Sequence, residues 1–122
     1  MAIKGMLRNW ESACVQIAAT SSLSGSLIHA GRPIIGVMMP DEWTAASIGF
    51  HVAACPGGTF RPLYSDDNEL IVTEGNACRA LSACKCLDKL APWWAFKIMS
   101  GSVNTDRDDQ AEARTFAIFY EG

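Results

Sequence analysis

No stretch of this chain has the length and apolarity of a membrane-spanning helix. Hydrophobic residues make up 49% of its 122 positions, yet no run approaches the roughly 20 consecutive apolar residues that a bilayer requires. Behind Lys4 and Arg8 there is no apolar signal core either, so the expectation is a protein that matures where it is made, in a cytosol. An excess of positive charge is also missing. Ten Lys and Arg against thirteen Asp and Glu leave a net charge of −3, which argues against nucleic acid as the main partner. Helical periodicity is absent as well. Apolar residues nowhere recur at the 3.6-residue spacing of an amphipathic helix, which removes helix bundles and βαβ alternation.

The motifs of catalysis are equally scarce. There is no phosphate-binding glycine loop, dinucleotide fingerprint or zinc-protease helix, and no serine in a nucleophile elbow. His29 and His51 are the only histidines; His51 is expected on the outward face of a strand, in a structural role. The carboxylates fall in loops. The chain is therefore read as a non-enzyme, with no catalytic residues and no cofactor.

Five cysteines, Cys14, Cys55, Cys78, Cys84 and Cys86, are an odd number, and a secreted disulfide framework would pair them all. Most are expected as small buried hydrophobes. A metal is the sharper alternative, because Cys84 and Cys86 would share one face of a strand with Cys78 close by. Structural zinc wants four ligands from paired knuckles and only one loose cluster exists, so no metal is expected. Asp66 to Glu69 is acidic but lacks the ligand spacing of a calcium loop, and reads as a solvated turn.

What is present is strand chemistry. From Gly36 to Tyr64 an apolar run ends in Pro40, a polar corner carries Trp43, and alternation follows: Ile48, Phe50 and Val52 on one face, Ser47, Gly49 and His51 on the other. Cys55-Pro56-Gly57-Gly58 is a turn, since Pro fixes φ and Gly permits φ > 0. Thr59-Phe60-Arg61 resumes the extended pattern. Strand, tight turn, strand predicts a hairpin around which the chain is organised.

Upstream, Met1 to Trp10 mixes Met6, Leu7 and Trp10 with Lys4 and Arg8, and reads as an arm lying on its own sheet or on a neighbouring subunit. Cys14, Gln16 and Ala18 alternate with Val15, Ile17 and Ala19 as a first strand. Thr20 to Ser26 is a polar loop or irregular edge, and Ile28 and Ile34 to Met39 are extended. Downstream come a turn at Ser65 to Asn68, a strand around Leu70 to Thr73, a turn at Glu74 to Asn76, an extended segment from Ala77 to Cys86 and a single helical turn from Asp88 to Leu90. Trp93 to Met99 reads as a central strand with Trp94, Phe96 and Ile98 on one face. Its adjacent tryptophans must face opposite sides. Ser100 to Glu112 is expected as an exposed polar loop, and Arg114 to Tyr120 as a closing strand, central or covered. About eight short strands at regular spacing predict one domain, 1–122, with an arm over about 1–11. Its class is all-β: an antiparallel two-sheet sandwich of the jelly-roll kind.

Four short motifs occur in order: P-x-x-W-T-x-A-x-x-x-F at Pro40 to Phe50, T-F-x-x-L at Thr59 to Leu63, K-I-x-S-G at Lys97 to Gly101, and Q-x-x-x-R-T at Gln110 to Thr115. In this the chain resembles a family of small tailed-phage virion proteins. It departs from them at the Cys55 to Gly58 turn, where relatives carry Asp-Gly, and in the cysteine-rich Cys78 to Cys86 segment. The resemblance implies a β-sandwich on a virus particle: a cement or decoration protein on the outer capsid surface, bound to the major capsid protein and self-associating, as a trimer, about a symmetry axis. A collar, vertex or tail position is the nearest alternative. The expected contacts are Met6, Leu7 and Trp10 of the arm and the corner Trp43. A different class also fits the jelly roll, a carbohydrate-binding module in which Trp43 with Trp93 or Trp94 stacks on sugar rings.

Overall fold

The chain folds as a long hairpin whose two arms are nested strand against strand and then rolled into two layers. A computed structural model describes residues 10–44, 46–65, 68–69, 71–72, 80–82, 89–101 and 109–121. In order, the strands are β1 Trp10–Ile17, β2 Leu27–Ile28, β3 Ile34–Met38, β4 Ile48–Ala53, β5 Arg61–Pro62, β6 Tyr64–Ser65, β7 Asn68–Glu69, β8 Ile71–Val72, β9 Ala80–Ser82, β10 Ala95–Ser100 and β11 Arg114–Glu121.

One sheet runs β1-β11-β3-β9. The other runs β2-β10-β4-β5, with β8 also on β4, and β6 and β7 form a separate two-stranded pair. All pairings are antiparallel. Outermost in the nest, β1 lies on β11; inside it β2 lies on β10, then β3 on β9, and innermost β4 on β5 and β8. From β1 to β4 and from β8 to β11 successive strands alternate between the sheets, which is the jelly-roll plan of two Greek keys. The expected class is thus the observed one. Among the described residues eleven strand segments are seen, against the expected eight.

That hairpin is the innermost turn of the roll. Gly58 N donates to Cys55 O at 2.9 Å, and Leu63 N to Phe50 O at 2.9 Å. His51 stands opposite Pro62 and Val52 opposite Arg61. Gly57 has φ +73°, a left-handed conformation that glycine adopts without steric cost. At the other sequence-predicted turn, Ser65 pairs with Asn68.

Alternation supplies the core. In β1, Val15 and Ile17 are buried while Cys14 and Gln16 are exposed. Phe50, Phe96, Phe116, Ile48, Ile98 and Ile118 come from the two middle strands of each sheet or their neighbours and are fully buried. Phe50 and Phe96 meet edge to face at 6.4 Å between centroids. Each such side chain contributes about 1.5–3 kcal/mol through burial. β11, expected to be central or covered, is central between β1 and β3.

Several expectations are corrected. All six residues of β4 are buried, His51 included at 5% exposure. Its cross-strand neighbour Lys97 leans over the Phe60 ring at 4.6 Å, so long side chains instead of solvent lie over that face. Of the five cysteines, most of them expected as buried, the two described ones, Cys14 and Cys55, are exposed, one on the outer face of an edge strand and the other in a turn. The strand expected from Trp93 starts at Ala95, and Trp94 is not on the Phe96 face. Ser100 and Gln110, assigned to an exposed loop, are fully buried, as are Ser22 and Ser24 in the irregular edge before β2 to within 8%. β1 already begins at Trp10, inside the stretch read as an arm.

Candidate functional site

The resemblance motifs converge on one buried polar node at the end of the sandwich where β10 finishes and β11 starts. Gln110 Oε1 accepts from Thr44 N at 2.8 Å and from Arg114 Nε at 3.1 Å. Gln110 Nε2 donates to Ser100 Oγ at 2.7 Å and to Thr44 O at 3.0 Å. Both lone pairs and both protons of the amide are used, its full capacity. Arg114 Nη2 adds a bond to Thr44 Oγ1 at 3.3 Å. Next to this node Trp43 is half-buried, its ring edge-on to Phe116 at 5.4 Å and its indole N–H donating to Ala46 O at 3.2 Å. Three motifs therefore meet here to clamp the corner between β3 and β4 across both sheets. In the fourth, Leu63 enters the core at 4% exposure. A shallow groove of about 270 Å³ lies outside the clamp, lined by Pro40, Asp41, Glu42, Ala113, Arg114 and Thr115. Gln110 is the residue that sequence reasoning missed; its signal was the motif itself, the four-residue spacing to Arg114.

A second feature occupies the opposite end, on the outer face of the β2-β10-β4 sheet. A cleft of about 140 Å³ is lined by Ser26, Ile28, Ala53, Cys55, Gly57, Gly58, Phe60, Trp94 and Ala95. Trp94 forms part of its wall, whereas Trp93 packs on the core, so the adjacent tryptophans do face opposite sides. Trp94 N donates to Ala53 O at 2.9 Å, and Trp94 O accepts from His29 N and Ala30 N, which fixes the wall to both neighbouring strands. Ile28 is 53% exposed at the rim.

His29 secures the same end from inside. It is wholly buried, edge-on to Phe96 at 5.3 Å, and its Nε2–H donates to Leu90 O at 2.6 Å. Burial lowers its pKa below the ordinary value of 6.5, and the charge of Arg32 lowers it further, against the opposing pull of the Leu90 and Leu27 carbonyls. Arg32 in turn donates to His29 O at 2.9 Å, pairs with Glu11 at 3.1 Å and lies over the Tyr120 ring at 4.8 Å.

Of the expected contact residues, Trp43 is placed as above. Met6 and Leu7 lie outside the described residues, and Trp10 opens β1 opposite Glu121. Trp43 and Trp94 sit at opposite ends of β10, a separation of roughly 20 Å at 3.3 Å per residue. A shared sugar platform of these two is not formed. Cys78, Cys84, Cys86 and the Glu74 to Asn76 turn also lie outside the described residues. Among the described residues no three His, Cys, Asp or Glu side chains stand close enough to hold a metal ion, and no helix is long and apolar enough to cross a membrane.

No family model matches this sequence, and no curated protein matches it. A solved structure does. The crystal structure of SPBc2 prophage-derived protein YomS is similar over 93% of this chain and 95% of its own, with a TM-score of 0.54 and 12% sequence identity. At that identity the likeness establishes a shared fold, the same all-β sandwich from end to end.

Proposed function

We propose that this chain is a structural virion protein of a tailed bacteriophage: a cement or decoration protein that binds the outer surface of the major capsid protein lattice and stabilises the shell. The observation that carries the reading is the fold, matched along nearly its whole length by a prophage-derived protein. The motif positions support it too. Thr44, Ser100, Gln110 and Arg114 lock the sandwich through their mutual hydrogen bonds, and a body that binds many equivalent sites needs rigidity and surface anchors.

In this reading the partly exposed Trp43 and the arm residues Met6, Leu7 and Trp10 contact the shell or neighbouring copies. Self-association, as a trimer, follows local symmetry axes. The protein is made in the host cytoplasm and ends on the particle. A collar, vertex or tail position is the competing site on the same particle.

The test is to mix purified protein with undecorated, expanded capsids and to quantify bound copies by sedimentation and gel densitometry. Saturable binding at a stoichiometry set by icosahedral symmetry is expected. Absence of binding to shells, with binding to tails or collars, would move the protein to the competing site. Affinity for neither, with affinity for glycans on an array, would replace the reading by that of a sugar-binding module.

A further inference from the structure

We propose that the cleft on the outer face of the β2-β10-β4 sheet is a docking site for an acidic polypeptide segment that inserts one phenylalanine- or leucine-sized side chain. The cleft is built into the sheet. Ile28, Ala95 and Ala53 stand side by side across β2, β10 and β4, and the two alanines of that row make a low floor. Phe60, Trp94 and Cys55 rise around it, and the glycines at 57 and 58 leave one side without side chains. Because the floor belongs to paired strands, the site is formed before anything binds, as small-molecule and side-chain pockets usually are.

Its size selects the anchor. A dry cavity of about 150 Å³ accepts a benzene ring, and this one measures about 140 Å³. The lining selects against a sugar. Among the described residues Ser26 supplies the single side-chain hydroxyl in it, while a pyranose inserted here would lose water from several hydroxyls without replacement.

Charge selects what flanks the anchor. Among the described residues no carboxylate lines the cleft. The Lys97 ammonium sits 4.6 Å above the Phe60 ring at its edge. In a protein of net charge −3 this is a locally cationic rim, which attracts acidic partners and repels basic ones. The inference does not depend on the partner being a capsid protein.

The two exposed thiols among the described residues provide the readout: Cys55 lines the cleft, and Cys14 lies on β1 of the other sheet. Intact protein is alkylated with iodoacetamide in the presence of N-acetyl-Phe-Glu amide, N-acetyl-Phe-Lys amide or N-acetylglucosamine, and the rate at each cysteine is followed by peptide mass mapping. The Phe-Glu probe should slow Cys55 several-fold and leave Cys14 unchanged, and the Phe-Lys probe should protect about tenfold more weakly. Ala53→Leu, which raises the floor, should abolish protection. Lys97→Glu, which reverses the charge at the rim, should reverse the preference between the two dipeptides and, with the fold checked by circular dichroism, carries the test if the first variant does not fold. Equal protection by both dipeptides, protection of both cysteines alike, protection by the sugar alone, or none at all would each overturn the proposal.

Discussion

Gln110 and Ser100 are both fully buried and are joined by a 2.7 Å hydrogen bond from Nε2 to Oγ, so the polar segment between β10 and β11 is pinned at its two ends. The bond closes a network in which the amide also holds the backbone of Thr44 and the guanidinium of Arg114. Replacing Gln110 by Ala should strand several buried polar groups at once and destabilise the protein by about 2–4 kcal/mol. Gln110→Glu keeps the acceptor facing Thr44 N and Arg114 but loses both donors, and should fall between the two. Urea unfolding of the three proteins checks the order.

Acid should loosen the opposite end. His29 has a folded-state pKa below 6.5 because it is buried, so the folded protein binds fewer protons than the unfolded chain between the two values. Its contribution to stability is full above the unfolded value and is lost as pH falls from 6.5 through the folded value. Thermal unfolding should show a declining midpoint across that window, before the carboxylates titrate. In His29→Gln the decline should flatten, and the midpoint at neutral pH should drop because the bond to Leu90 is no longer held in the same geometry.

The central turn should be intolerant at two adjacent positions for different reasons. Gly57→Ala forces a side chain into φ +73° and should cost about 1–2 kcal/mol, with Gly57→Asn less harmful because Asn tolerates that region. Gly58→Ala puts a Cβ 3.0 Å from Cys55 O and 3.2 Å from its Sγ and should destabilise without any φ penalty. Gly25→Ala, with nothing within 4 Å, is the neutral control in the same denaturation series.

The aromatic core should behave as a coupled unit. Phe96 touches Phe50 at 6.4 Å and His29 at 5.3 Å between centroids, and Phe96→Ala should cost about 3–5 kcal/mol. Combined with Phe50→Ala the loss should be less than additive, since one enlarged cavity replaces two separate ones. A double-mutant cycle by chemical denaturation measures the difference.

What the sequence determined by itself is the strand plan. Alternation at Val15 and Ile17, at Phe50 and Val52, at Phe96 and Ile98, and at Phe116 and Ile118 encodes which faces are buried, because the side-chain period of two is local. The Cys55 to Gly58 turn marks the innermost hairpin, because proline and glycine constrain the backbone wherever they stand. Tertiary structure alone decided the rest. That Gln110 leaves its polar surroundings for the interior depends on Thr44 and Ser100 arriving from elsewhere in the chain to meet its amide. His51 is buried between its cross-strand neighbours Lys97 and Pro62, which arrive from two other segments. Trp94 turns to the outer cleft while Phe96 enters the core, since the strand that enforces alternation starts one residue later, where Ala95 pairs with Ile28 and Ala53. Each of these is a long-range contact, and local pattern carries no information about which distant side chain will be opposite.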